Sequence, residues 1–88
     1  MSNTEELAWA AQVQVSPNPT SGNLLVRLPE SSTEVSLELI NLLGEKLANF
    51  QGNSNSQSLS LKDLPNGIYL LSISSKAFST TRKIVLEK

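Results

Sequence analysis

A period-two alternation of apolar and polar residues, broken every few positions by turn-forming residues, is the feature that most constrains this chain. Val35, Leu37 and Leu39 alternate with Ser36, Glu38 and Ile40, and Leu24, Val26 and Leu28 form a similar run that stops at Pro29. Successive side chains of a strand point to opposite faces, so each run predicts one buried face and one face toward water. Leu59 and Leu61 flank Ser60 in a shorter piece, and Ile68 to Ser74 is almost continuously apolar, as in a central strand covered on both sides. Ser79 to Leu86 ends the series, with Ile84 and Leu86 opposite Lys83, Val85 and Glu87. Gln12–Val15 and Glu45–Gln51, the latter with Leu47 as its inward residue, complete about seven short strands. No segment carries a helix-length 3.6-residue period. The pattern predicts an all-β fold: an immunoglobulin-like antiparallel β-sandwich, with an open sheet or small barrel as the competing architecture.

The turns are equally explicit. Ser16-Pro17-Asn18-Pro19 places two prolines around an asparagine, which excludes a central ladder and makes a rigid extended turn. Thr20-Ser21-Gly22-Asn23 and Asn41-Leu42-Leu43-Gly44 read as glycine turns, the second a tight hairpin. Glu30–Thr33 and Gly52–Gln57 read as polar loops, and Ser75-Lys76-Ala77 as a hairpin turn. Leu64-x-x-Gly67-x-Tyr69 sets a tyrosine just after a turn, at the start of a strand, as in a tyrosine corner whose hydroxyl bonds to upstream backbone.

Composition narrows the function. The 88 residues make one domain at most and contain neither cysteine nor histidine, which excludes disulfides, Cys/His zinc sites and the usual nucleophile–base pairs. The eight acids are scattered, and no calcium loop or glycine-rich phosphate loop occurs, so no cofactor or metal is expected. The net charge is −1, and the bases gathered near the end (Lys76, Arg82, Lys83, Lys88) are too few for a nucleic-acid footprint. No run reaches the roughly 18–20 apolar residues of a membrane span. Met1 to about Ala11 reads as a linker remnant ahead of a domain over 12–88, with Trp9 loosely packed or disordered. It lacks the basic and apolar regions of a signal peptide, as expected of a cytoplasmic protein or a piece of a longer precursor. Carbohydrate binding would want exposed aromatic platforms; the candidates are Trp9, Phe50, Tyr69 and Phe78, with Tyr69 reading as core.

The order of the motifs adds a resemblance. Val15-Ser16-Pro17-Asn18-Pro19-Thr20-Ser21-Gly22-Asn23-Leu24 resembles the opening motif of the type A C-terminal sorting domain of the type IX (Por) secretion system of Bacteroidetes. Leu39 to Leu47, centred on Gly44, resembles its middle motif, and Leu64 to Ile73 its L-x-x-G-x-Y motif. Arg82-Lys83-Ile84-Val85-Leu86-Glu87-Lys88 is similar to its terminal strand. Ser16 departs from the pattern, because many members carry an aromatic residue there.

The resemblance implies a non-catalytic secretion signal. It would direct an upstream cargo protein, covalently attached in the precursor, through the periplasm and the type IX outer-membrane translocon to the surface or the medium. A sortase-like protease often then cuts ahead of the domain and attaches the cargo to surface lipopolysaccharide. On this reading Pro17, Asn18, Pro19, Gly22, Gly44, Gly67 and Tyr69 maintain a shape, while Arg82, Lys83 and Lys88 remain open to a partner. A non-catalytic adhesive or carbohydrate-binding β-sandwich is the alternative.

Overall fold

A computed structural model describes residues 3–29, 34–52, 56–76 and 78–88. The expected loop at 30–33, much of that at 52–57, and Ala77 of the hairpin turn lie outside the described residues. A helix α1 (Asn3–Gln12) precedes seven strands: β1 (Gln14–Ser16), β2 (Asn23–Arg27), β3 (Val35–Ile40), β4 (Lys46–Gly52), β5 (Ser56–Ser60), β6 (Gly67–Ser74) and β7 (Ser79–Leu86). They form a three-stranded sheet, β1-β2-β5, and a four-stranded sheet, β4-β3-β6-β7, with every neighbouring pair antiparallel. This is the immunoglobulin-like order, except that β4 joins β3 in the second sheet instead of β5 in the first.

The core follows from the alternation. Val35, Leu37 and Leu39 are buried on β3, as are Tyr69, Leu71 and Ile73 on β6 and Ile84 and Leu86 on β7. Leu24 and Val26 of β2 and Leu59 of β5 complete the core from the other sheet. β6 is central in its sheet, as expected, but only its inner face is covered. Ile68 is 41% exposed and Leu70 half-buried, because no element among the described residues packs over the outer face there.

Two further sequence expectations are corrected. Leu47 does not point inward; it is 39% exposed. Leu39 pairs with Ala48 and Ile40 with Lys46, so Leu47 is an extra residue in a β-bulge. Counting by two from the turn therefore loses phase, and the inward positions of β4 fall on Ala48 and Phe50, which pack against the core. Nor is Trp9 loose or disordered. It is 6% exposed and joins the core cluster together with Val13, and its ring lies 5.9 Å from that of Phe78.

The bulge is testable. Leu37→Ala should cost about 2–5 kcal/mol, as for a fully buried leucine. Leu47→Ala should cost less than about 1 kcal/mol. Equal losses in urea unfolding would place Leu47 in the core and refute the assigned register.

Candidate functional site: a framed terminal strand

β7 is the edge of its sheet, and an unpaired edge invites adventitious strand addition. The Pro-Asn-Pro-Thr segment runs along that edge. Pro17 and Pro19 have no N–H to offer, and the Asn18 side chain takes the place of a peptide unit. Its Nδ2 donates to the Lys83 carbonyl at 2.8 Å, and its Oδ1 accepts from Val85 N at 3.0 Å. Thr20 continues the seal: its N–H donates to the Val85 carbonyl, and its carbonyl accepts from Glu87 N, both at 2.8 Å. The result is a short parallel bridge between Thr20 and Leu86.

Thr20 is itself buried, and its hydroxyl donates to the Asn23 carbonyl at 2.6 Å while accepting from Gly22 N at 3.2 Å. Gly22 sits at φ +140°, and a Cβ there would lie 3.3 Å from Lys62 Cγ. The turn therefore needs glycine for its backbone, while a Cβ would only crowd the exposed Lys62 side chain.

A second motif holds the end of the same strand. The Tyr69 hydroxyl donates to the Pro65 carbonyl, so the tyrosine corner forms as the spacing predicts. Asn66 Oδ1 accepts from Lys88 N at 3.0 Å, and Lys88 Nζ donates to the Lys62 carbonyl at 3.1 Å. Gly67 opens β6 and pairs with Leu86. The glycine turn of the middle motif is a three-residue hairpin. Gly44, at φ +88°, donates its N–H to the Asn41 carbonyl at 3.0 Å. Asn41 Oδ1 also accepts from Leu43 N and Glu45 N, which fixes the turn. A groove of about 380 Å³ separates this hairpin from the 64–68 segment, with Leu42, Leu43, Leu47 and Ile68 on its walls. These four are the large exposed apolar side chains among the described residues.

The three terminal bases that were expected to face a partner do not behave alike. Lys83 is exposed on the outer face of β7, and Lys88 is exposed while bonded to backbone. Arg82 is not open to a partner. It pairs with Leu71, hence points to the inner side, and its Nη2 donates to the Ala10 carbonyl and, at 3.2 Å, to the Val13 carbonyl. Strand parity alone foretold this, since Arg82, Ile84 and Leu86 share a face. Lys76 is ion-paired with Glu34 at 2.9 Å, away from the other three in the sequence. None of the four aromatic residues is exposed: Trp9 and Tyr69 are buried, and Phe50 and Phe78 are half-buried against the core. No aromatic platform is thus presented for a sugar.

The opening and L-x-x-G-x-Y motifs fasten β7 in place, and the middle motif shapes the β3–β4 hairpin across β6 from it, leaving a particular outer surface on view. Such an assembly defines a β-sandwich display module. The chain belongs to the secretion system C-terminal sorting domain family, whose model matches residues 14–87. It is a C-terminal sorting signal for type IX secretion, which serves an attached protein and leads it to the outer-membrane surface or the extracellular space. Among curated proteins none matches the chain. No helix among the described residues is long and apolar enough to cross a membrane.

The Asn18 strap gives a stability prediction. Asn18→Ala removes two hydrogen bonds and leaves Val85 N and the Lys83 carbonyl to water, which should cost about 1–2 kcal/mol. Tyr69→Phe should cost about 1 kcal/mol. Denaturant titration of both variants checks this, and an unchanged midpoint for Asn18→Ala would rule out the edge seal as a source of stability.

Proposed function

We propose that the module acts as a folded address, read at the hairpin end of the sandwich by the type IX machinery after the attached protein has reached the periplasm. The observation that carries this reading is the framing of the terminal strand. The opening motif and the L-x-x-G-x-Y motif bond to β7 or to Lys88, so their residues hold a surface in shape without forming a reaction centre. Pro17, Asn18, Pro19, Gly22, Gly44, Gly67 and Tyr69 then act through geometry. Lys83, Lys88 and the apolar walls at Leu42, Leu43 and Ile68 are what a partner would touch, since a cluster of exposed apolar side chains marks an interaction surface. A sortase-like protease that cuts ahead of the sandwich, with surface attachment of the cargo, completes the sequence of events. The domain limits then follow: residues 12–88 form the sorting domain, and the residues ahead of it lead to the cargo.

The test is a fusion of the whole chain behind a periplasmic reporter in a bacterium with a working type IX system. The reporter should reach the surface or the medium. Retention in the periplasm with the sandwich folded would overturn the reading. Lys83→Glu should lower export several-fold while leaving the unfolding free energy within about 0.5 kcal/mol of the parent, as for an exposed position. Arg82→Met should instead act on stability.

A further inference from the structure

α1 lies ahead of the matched residues 14–87, yet it is tied into the sandwich at two points. It has only ten residues, and an isolated helix of fewer than about 12–15 residues is marginal in water. Its last turn carries no basic residue to offset the partial negative charge of its exposed carbonyls. β7 supplies what the helix lacks. The Arg82 guanidinium reaches from the strand to the Ala10 carbonyl in the last turn and to the Val13 carbonyl just beyond it. Trp9 provides the second tie, buried in the core cluster with its ring against Phe78. The backbone between helix and sandwich is held as well: Val13 N donates to the Ala10 carbonyl at 3.2 Å, and the Val13 side chain is buried.

We propose that α1 is a docked latch, held by Trp9 and Arg82, which shields the backbone joint at residues 10–13 from cleavage and opens as a unit while the sandwich stays folded. An endopeptidase needs its substrate extended over several residues, and a joint that is helical and anchored on both sides does not offer that. Loss of either tie removes the support a ten-residue helix depends on, so the helix and the joint are released together. Undocking α1 would convert a protected joint into a cleavable one. The proposal does not rest on the sorting function, because protection of the joint is a property of the chain itself.

Pancreatic elastase, which cuts after alanine, probes the joint in the full chain at the bonds following Ala10 and Ala11. Cleavage after Ala48, within β4, reports opening of the sandwich in the same digest. Mass spectrometry should show the joint of the unsubstituted chain cut at least about tenfold faster than Ala48, each rate taken relative to the same site in an unfolded peptide, and Trp9→Ala and Arg82→Met each raising the joint rate by at least about tenfold, because cleavage follows the population of the locally open state. A joint rate unchanged in both variants, or equal relative rates at the joint and at Ala48 in the unsubstituted chain, would overturn the latch. Hydrogen exchange on the unsubstituted chain decides the matter independently if a variant fails to fold. Amides of residues 9–13 should exchange at least about tenfold faster than those of Leu71 and Ile73, and equal rates would show that α1 opens only with the whole molecule.

Discussion

The edge of β7 is the point on which this fold turns. A sandwich this small, without a disulfide, relies on packing and backbone pairing, and an open edge on its last strand would leave that strand free to fray or to pair elsewhere. The segment from Pro17 to Thr20 removes that freedom. It leaves β1 in the three-stranded sheet, bonds along β7 in the four-stranded sheet through Asn18 and Thr20, and returns to the first sheet as β2. One short strap therefore joins the two sheets and closes an edge. Proline is suited to this role because a segment bonded on one side only has no use for the N–H groups it lacks. The asparagine between the prolines restores one donor and one acceptor at the spacing of a peptide unit.

Much of this was legible in the sequence, and what was missed has physical causes. The alternation in β3 survives unchanged in the buried positions Val35, Leu37 and Leu39, because that strand is central, with β4 and β6 on either side. The tyrosine corner was readable because it is local, spanning Pro65 to Tyr69. Leu47 was misplaced because a bulge adds one residue without any mark in composition. α1 was missed because the reading relied on apolar periodicity, which this short segment lacks, and because the contacts that hold it come from far along the chain. Trp9 and Arg82 lie far apart in sequence, and an Ala-rich segment with one tryptophan carries no amphipathic period of its own. The bonds from Asn18 to Lys83 and Val85 were equally unforeseeable, although the turn that contains Asn18 was plain.

The functional residues divide along the same line. Arg82 and Lys83 are neighbours in sequence and both basic, yet strand parity sends one inward to a helix terminus and the other outward to water. Reading the terminal bases as one charged cluster merges a structural contact with a displayed charge. The motif glycines and prolines belong with Arg82: on the function proposed above, their effect on recognition passes through the shape they keep. Lys83 and the leucines of the 42–43 turn join the frame through their backbone and expose their side chains, and so their substitution changes the surface and leaves the frame.

The distances along the chain between these contacts carry a consequence for a signal placed at a C-terminus. Asn18 is separated from Lys83 by 65 residues and from Val85 by 67. Neither end of the domain can form the strap alone, and β7 has no partner until β6 has been made. The edge seal on that strand and the Asn66 bond to Lys88 thus each need both early and late segments of the domain in place. An incomplete or unfolded chain has every motif upstream of its break and still lacks the surface those motifs hold in place. A reader that recognises this surface, and not a linear tail, therefore responds only to a finished and folded domain.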